Sequence, residues 1–249
     1  MVEKGGYLMI LHTSIVGKGE PVVFLHTGLQ TGEIDFSYQR EYFKGNYKVI
    51  LLDLRGHGKS TTDQIEVLNY WEESAVDLKE TLDHLQIEKA HIVGVSLGAL
   101  VGLVFAKRFS ERVIGLTLSG IVSEKPHNWE ELQATDVEMQ KAVLNNKEAV
   151  NYFSNLHSSD WKSFITMTQD RDWYPFDETA DVSGILCPSL LIVGEGNPQE
   201  VKGVLNYPEM NDNFHVAVVP FAAHLVHSDQ PELYTMILDR FLEGVKDSS

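Results

Sequence analysis

The sequence predicts an α/β protein: a mostly parallel, doubly wound sheet carrying one helical insertion. Short, almost continuous apolar runs alternate with segments of helical period, the pattern of strands covered on both faces and their crossover helices. A G-x-S-x-G pentapeptide, Gly94-Val95-Ser96-Leu97-Gly98, stands where one such run gives way to a helix. Between Val122 and Gly184 the strand pattern stops, and charged residues mix with aromatics such as Trp129, Trp161, Phe164 and Trp173.

Tyr7 to Val16 is rich in apolar and β-branched residues and ends at Gly17-Lys18-Gly19-Glu20-Pro21, a strand followed by a turn. Pro21 to Leu25 and Lys48 to Asp53 read as buried strands. Ala75, Leu78, Leu82 and Leu85 then recur at helical spacing. Ala90 to Val93 leads into the pentapeptide, Leu97 to Phe109 reads as a helix, and Val113 to Leu118 as the next strand. Ser189 to Val193 and Phe214 to Val219 resume the parallel pattern, and a helix with the stripe Tyr234, Ile237, Leu238, Phe241 and Leu242 closes it. The expected division is a core of residues 1–121 and 185–249, with 122–184 as an insertion.

The 249 residues suffice for a full α/β core, and 43% hydrophobic with 22% charged residues is ordinary for a globular chain. A formal net charge of −16 argues against nucleic-acid or anionic-membrane surfaces as partners. The single cysteine, Cys187, lies in an apolar stretch and reads as a buried thiol in a reducing compartment. Met1 to Gly6 carries no secretory pattern and no run reaches the roughly 18 apolar residues of a membrane span, so a soluble, cytoplasmic protein is expected.

In a strand–turn–helix context, the pentapeptide places Ser96 on a sharp turn that tolerates only small residues two positions away, where Gly94 and Gly98 stand. A helix opening at the serine aims main-chain N–H groups at any oxyanion formed beside it. A serine hydroxyl needs a base to take its proton. Of the ten histidines, His224 follows the last predicted strand across a short turn and comes after the serine in chain order. His227 lies in or near the next helix, and His57 sits in a loop.

Five segments in this order resemble the α/β-hydrolase family over essentially the full chain: His26-Thr27-Gly28, Asp53-Leu54-Arg55-Gly56-His57-Gly58-Lys59-Ser60, the elbow at Ser96, Gly194-Glu195-Gly196-Asn197-Pro198, and Ala223-His224. The resemblance implies that the inserted block is a helical cap whose aromatics line an apolar pocket. It implies that His26 stabilises the loop supplying the oxyanion hole, and that the hole consists of the Leu97 and Gly28 amides. Thr27 departs from the family's usual glycine.

The family's acid normally stands three residues after the glycine ending the penultimate strand, and that position holds Asn197. An alternative position near Gly120 offers no carboxylate. Three readings stay open: Asn197 as third member, a displaced Glu195 or Glu124, or loss of catalysis. The expected function is a serine hydrolase of an ester, thioester or lactone, or of a carbon–carbon bond beside a carbonyl, with a small apolar or aromatic acyl substrate. The alternative is a ligand-binding protein on an inactive fold. A serine at the elbow argues against a haloalkane dehalogenase or epoxide hydrolase. No cofactor or metal is implied, since there is no Cys/His ligand spacing and no G-x-G-x-x-G after a strand.

Overall fold

The computed structural model describes residues 9–62, 65, 67 and 69–247. In chain order its strands are β1 (Thr13–Val16), β2 (Glu20–Leu25), β3 (Tyr47–Leu52), β4 (Ala90–Val95), β5 (Val113–Ser119), β6 (Ser189–Gly194) and β7 (Phe214–Val219). Helices α1 (Gly32–Asp35) and α2 (Ser37–Phe43) precede β3, α3 (Tyr70–His84) precedes β4, and α4 (Leu97–Arg108) follows it. Four helices, α5 (Trp129–Asn145), α6 (Lys147–Leu156), α7 (Trp161–Thr168) and α8 (Phe176–Thr179), fill the stretch between β5 and β6. The short α9 (Pro198–Val201) and α10 (Gly203–Met210) lead to β7, and α11 (Val226–Asp229) and α12 (Pro231–Asp247) end the described chain.

All seven strands form one sheet in the order β1-β3-β2-β4-β5-β6-β7. Only β1 runs antiparallel to its neighbour; the other described pairings are parallel. Along β2, Val23 and Leu25 enter one apolar cluster while Val22 and Phe24 enter the other, so the two-residue period of the strand feeds a core on each face. α4 is buried from Leu97 to Ala106, which explains a segment apolar all round instead of along a stripe. At the far edge β7 is half solvated, with Val216 and Val218 exposed, because no described strand pairs beyond it.

The first strand is shorter than its sequence suggests. Pairing begins at Thr13, and Leu11 instead donates its N–H to the Thr81 hydroxyl of α3 at 2.9 Å. Tyr7 and Leu8 lie outside the described residues, as does the Met1 to Gly6 segment. Leu85 falls one residue past the end of α3. Residues 122–184 contain no strand among the described residues, and β5 pairs directly with β6 across them, so this block lies outside the sheet. Cys187 is buried, and burial pushes its thiol pKa up.

Candidate active site

The turn between β4 and α4 is bent as the pentapeptide predicts. Ser96 has φ of 53° and ψ of −115°, outside the regions that L-residues normally occupy. The bend presses backbone on backbone: a Cβ on Gly98 would lie 2.0 Å from the Leu25 carbonyl oxygen, and one on Gly94 2.3 Å from that of Gly98. Ser96 is held there by its N–H, which donates to the Ser119 carbonyl at the end of β5 at 2.8 Å.

His224, on the loop after β7, comes to the same place from the other side. Its Nε2 accepts from the Ser96 hydroxyl at 2.9 Å. Its Nδ1 lies 2.6 Å from Oε1 of Glu200, so the proton on Nδ1 points at a carboxylate and leaves Nε2 free to act as a base. Glu200 is almost fully buried, and its Oε2 has no hydrogen-bond partner among the described residues. Burial raises the Glu200 pKa against the pull of His224. Partial burial lowers that of His224, but the hydrogen bond and charge of Glu200, helped by Asp136 and Asp229, outweigh it and leave the imidazole above its ordinary value.

The carboxylate beside His224 is therefore not at any position expected from the sequence. Asn197 is the N-cap of α9, with Pro198 following it. Its Nδ2 donates to Glu200 Oε1 at 2.6 Å, and its Oδ1 accepts from the Glu200 N–H at 3.4 Å. Glu195 accepts from the Phe221 N–H at 2.8 Å, and Glu124 pairs with Lys202 on the surface. The fragment Asn197-Pro198-Gln199-Glu200 is a helix start with a cap and a glutamate three residues on, a capping-box pattern that would have pointed to Glu200. The charge missing at position 197 thus stands at Glu200.

The loop after β2 is fixed by buried polar groups. His26 Nε2 accepts from the Leu54 N–H at 2.9 Å and Nδ1 donates to the Thr27 carbonyl at 2.7 Å, an arrangement only the neutral ring allows. Burial holds its pKa low in keeping with this. Thr27 N–H donates to Asp35 at 2.8 Å, and the other oxygen of Asp35 accepts from His227 at 3.0 Å, so His227 supports this loop. Burial raises the Asp35 pKa, but the bonds from His227 and Thr27 outweigh it and keep the carboxyl below its ordinary value. From the helical block, His157 accepts from the Gly58 N–H at 2.8 Å and donates to the Leu29 carbonyl at 3.2 Å. His57 stands between His26 and His157, buried, donating to the Arg55 carbonyl at 3.0 Å.

Gly28 lines the same cavity as Ser96 and His224. The Leu97 N–H, at the first position of α4, has no acceptor within the helix. This cavity, about 620 Å³, extends from Ser96 towards α1, α2 and α11. Gln30, Ser37, Tyr38 and Ser228 line it together with Ile34, Leu225 and Pro231, and no residue of 122–184 does. The block's aromatics pack instead on one another and on the core, as Trp129 does on Tyr174 and Phe176, and Trp173 on Trp71. Phe164 comes nearest, its ring 3.1 Å from where a Cβ on Gly28 would stand.

Residues 20–141 match the family model of the alpha/beta hydrolase fold. NosK from Streptomyces actuosus superposes with a TM-score of 0.78 at 20% identity, over 92% of this chain and all of that one. The chain has the α/β-hydrolase fold. Among its curated relatives is a 3-oxoadipate enol-lactonase of Acinetobacter baylyi, 24% identical over 91% of this chain and 90% of the relative. Another is a 2-hydroxy-6-oxononadienedioate/2-hydroxy-6-oxononatrienedioate hydrolase of Comamonas testosteroni, 37% identical over 47% of this chain and 42% of the relative. The chain spans only 32% to 42% of the length of three of the curated relatives it matches. Among the described residues, no helix is long and apolar enough to cross a membrane.

Proposed function

We propose that this α/β-hydrolase-fold protein is a serine hydrolase that cleaves a small ester, thioester or lactone, or a carbon–carbon bond beside a carbonyl, through an acyl-enzyme. The observation that carries the reading is the unbroken chain from Ser96 Oγ through His224 to Glu200, with bonds of 2.9 and 2.6 Å. Ser96 Oγ attacks the carbonyl carbon while its proton passes to His224 Nε2. The imidazolium so formed is stabilised by the Glu200 carboxylate, and the tetrahedral oxyanion by the N–H groups of Leu97 and Gly28. His224 then hands its proton to the leaving group, and a water deprotonated by the same nitrogen releases the acyl group. Residues 122–184 act as the cap, holding the oxyanion loop through His157.

Relatives named for an enol-lactonase and for a hydrolase of a dienedioate support hydrolysis beside a carbonyl. The test is labelling by a fluorophosphonate probe. Stoichiometric modification of the wild type, lost in Ser96→Ala and strongly slowed in His224→Ala, is the expected result. Folded wild-type protein that neither labels nor hydrolyses any p-nitrophenyl ester would refute the reading.

A further inference from the structure

Among the described residues lining the cavity beside Ser96 and His224 there is no lysine or arginine. The lining offers neutral hydrogen-bonding groups, the amide of Gln30 and the hydroxyls of Ser37, Tyr38 and Ser228, beside the apolar Ile34 and Leu225. The one carboxylate on the wall, Asp35, has its oxygens committed to Thr27 and His227, so it is fixed in place as an anion. More negative charge stands behind the reacting centre. Glu200 backs His224, and Asp136 of α5 and Asp229 of α11 both act on the same imidazole. The whole chain adds a formal charge of −16.

We infer that the substrate is uncharged, a neutral ester or lactone bearing hydrogen-bonding groups, and that the site rejects acyl groups ending in a carboxylate. The inference rests on the serine-hydrolase reading, narrows its substrate, and sets this chain apart from the oxoadipate and dienedioate relatives, whose named substrates carry carboxylates. Amide and hydroxyl groups serve a neutral carbonyl or hydroxyl as well as they serve a carboxylate. What separates the two is a countercharge, and a carboxylate entering this cavity would find none on its described walls while meeting Asp35. Electrostatic focusing in a cleft also acts before binding, since an acidic surface lowers the local concentration of anionic substrates.

The decisive comparison is between mono-p-nitrophenyl adipate, ionised at pH 7.5, and its ω-carboxamide, which has almost the same shape without the charge. The expected kcat/KM ratio favours the carboxamide by about 30-fold or more at low salt, equivalent to about 2 kcal/mol, and shrinks when NaCl is raised to 0.5 M. Gln30→Lys, which places a cation on the cavity wall, is expected to move the ratio at least about tenfold towards the carboxylate. Equal or faster turnover of the carboxylate by the wild type, with the turnover abolished in Ser96→Ala, would overturn the inference and leave the serine-hydrolase reading standing. Failure to turn over either ester, together with absence of fluorophosphonate labelling, would remove both.

Discussion

Asn197 and Glu200 are tied twice, side chain to side chain at 2.6 Å and main-chain N–H to side chain at 3.4 Å. The residue at the family's usual acid position thus holds the carboxylate that faces His224 and is not itself that carboxylate. Glu200→Gln keeps the shape and removes the charge, so kcat is expected to fall by several orders of magnitude, up to the roughly 10⁴ found for the equivalent change in a serine protease. Without the carboxylate the His224 pKa drops, so the acid limb of kcat/KM moves to lower pH. Asn197→Asp places a second carboxylate beside Glu200 Oε1 and is expected to lower activity. A gain in activity for Asn197→Asp with little loss for Glu200→Gln would return the role to position 197.

Ser96 carries backbone strain that its chemistry requires. Ser96→Gly relieves a positive φ and is expected to raise unfolding stability by roughly 1 to 3 kcal/mol while abolishing hydrolysis. Chemical denaturation of wild type, Ser96→Ala and Ser96→Gly measures this. A glycine variant no more stable than the alanine variant would show the elbow to be relaxed.

Arg55 and Asp77 form a buried bidentate pair, at 2.7 and 2.9 Å, that anchors the 53–60 loop to α3. Burial pushes the Asp77 carboxyl up to about 6 even with Arg55 beside it. Arg55→Ala leaves that group without its partner and is expected to cost about 3 to 5 kcal/mol of stability. The urea midpoint reports it, and a loss below about 1 kcal/mol would mean that the pair is not buried in solution.

His26, His57, His91 and His157 all have pKa values lowered, in each case first by burial. Unfolded, these rings bind protons near pH 6.5, whereas folded they resist until lower pH. The unfolded state therefore holds more protons as pH falls below 6.5, and stability declines by about 1.4 kcal/mol per pH unit for each ring fully engaged. His224 works in the opposite direction, since its raised pKa favours the folded state at low pH and that contribution is lost as pH rises through it. The expected net result is a drop in unfolding free energy between pH 6.5 and 5, made shallower by about one proton in His157→Gln. A flat profile over that window would contradict the neutral state of the cluster.

The sheet was legible because its signal is local and repeated. Runs such as Pro21 to Leu25 are apolar on both faces whatever the chain does elsewhere, and β2 and β3 stand within a residue or so of where the runs lie. The strand before them was over-extended because Leu11 is buried against α3 through a side-chain hydroxyl, a long-range contact that mimics a strand in composition. Ser96 and His224 stood out by motif and chain order, and the structure brings them together. Glu200 did not, because a fixed offset from Gly194 was applied where the geometry only asks that a carboxylate reach Nδ1, and one turn of α9 supplies the difference. The cavity wall was out of reach: Gln30, Ser37, Tyr38 and Ser228 come from separate loops and helix starts that share no pattern in the chain.

His157 joins the helical block to the sheet by two bonds to main-chain groups, while Lys202 and Glu124 join the two regions at the surface by charge. A neutral ring bonded to an amide and a carbonyl presents nothing for dissolved ions to screen, whereas the exposed pair is weakened by every increment of salt. The His157 part of the block's hold on the Leu29 and Gly58 loops therefore belongs to the class of attachments indifferent to ionic strength yet weakened by acid, since a proton on the ring cancels its bond to the Gly58 N–H and leaves the Ser158 N–H bond to the Gly58 carbonyl in place. Brine and vinegar would act on this protein through different joints.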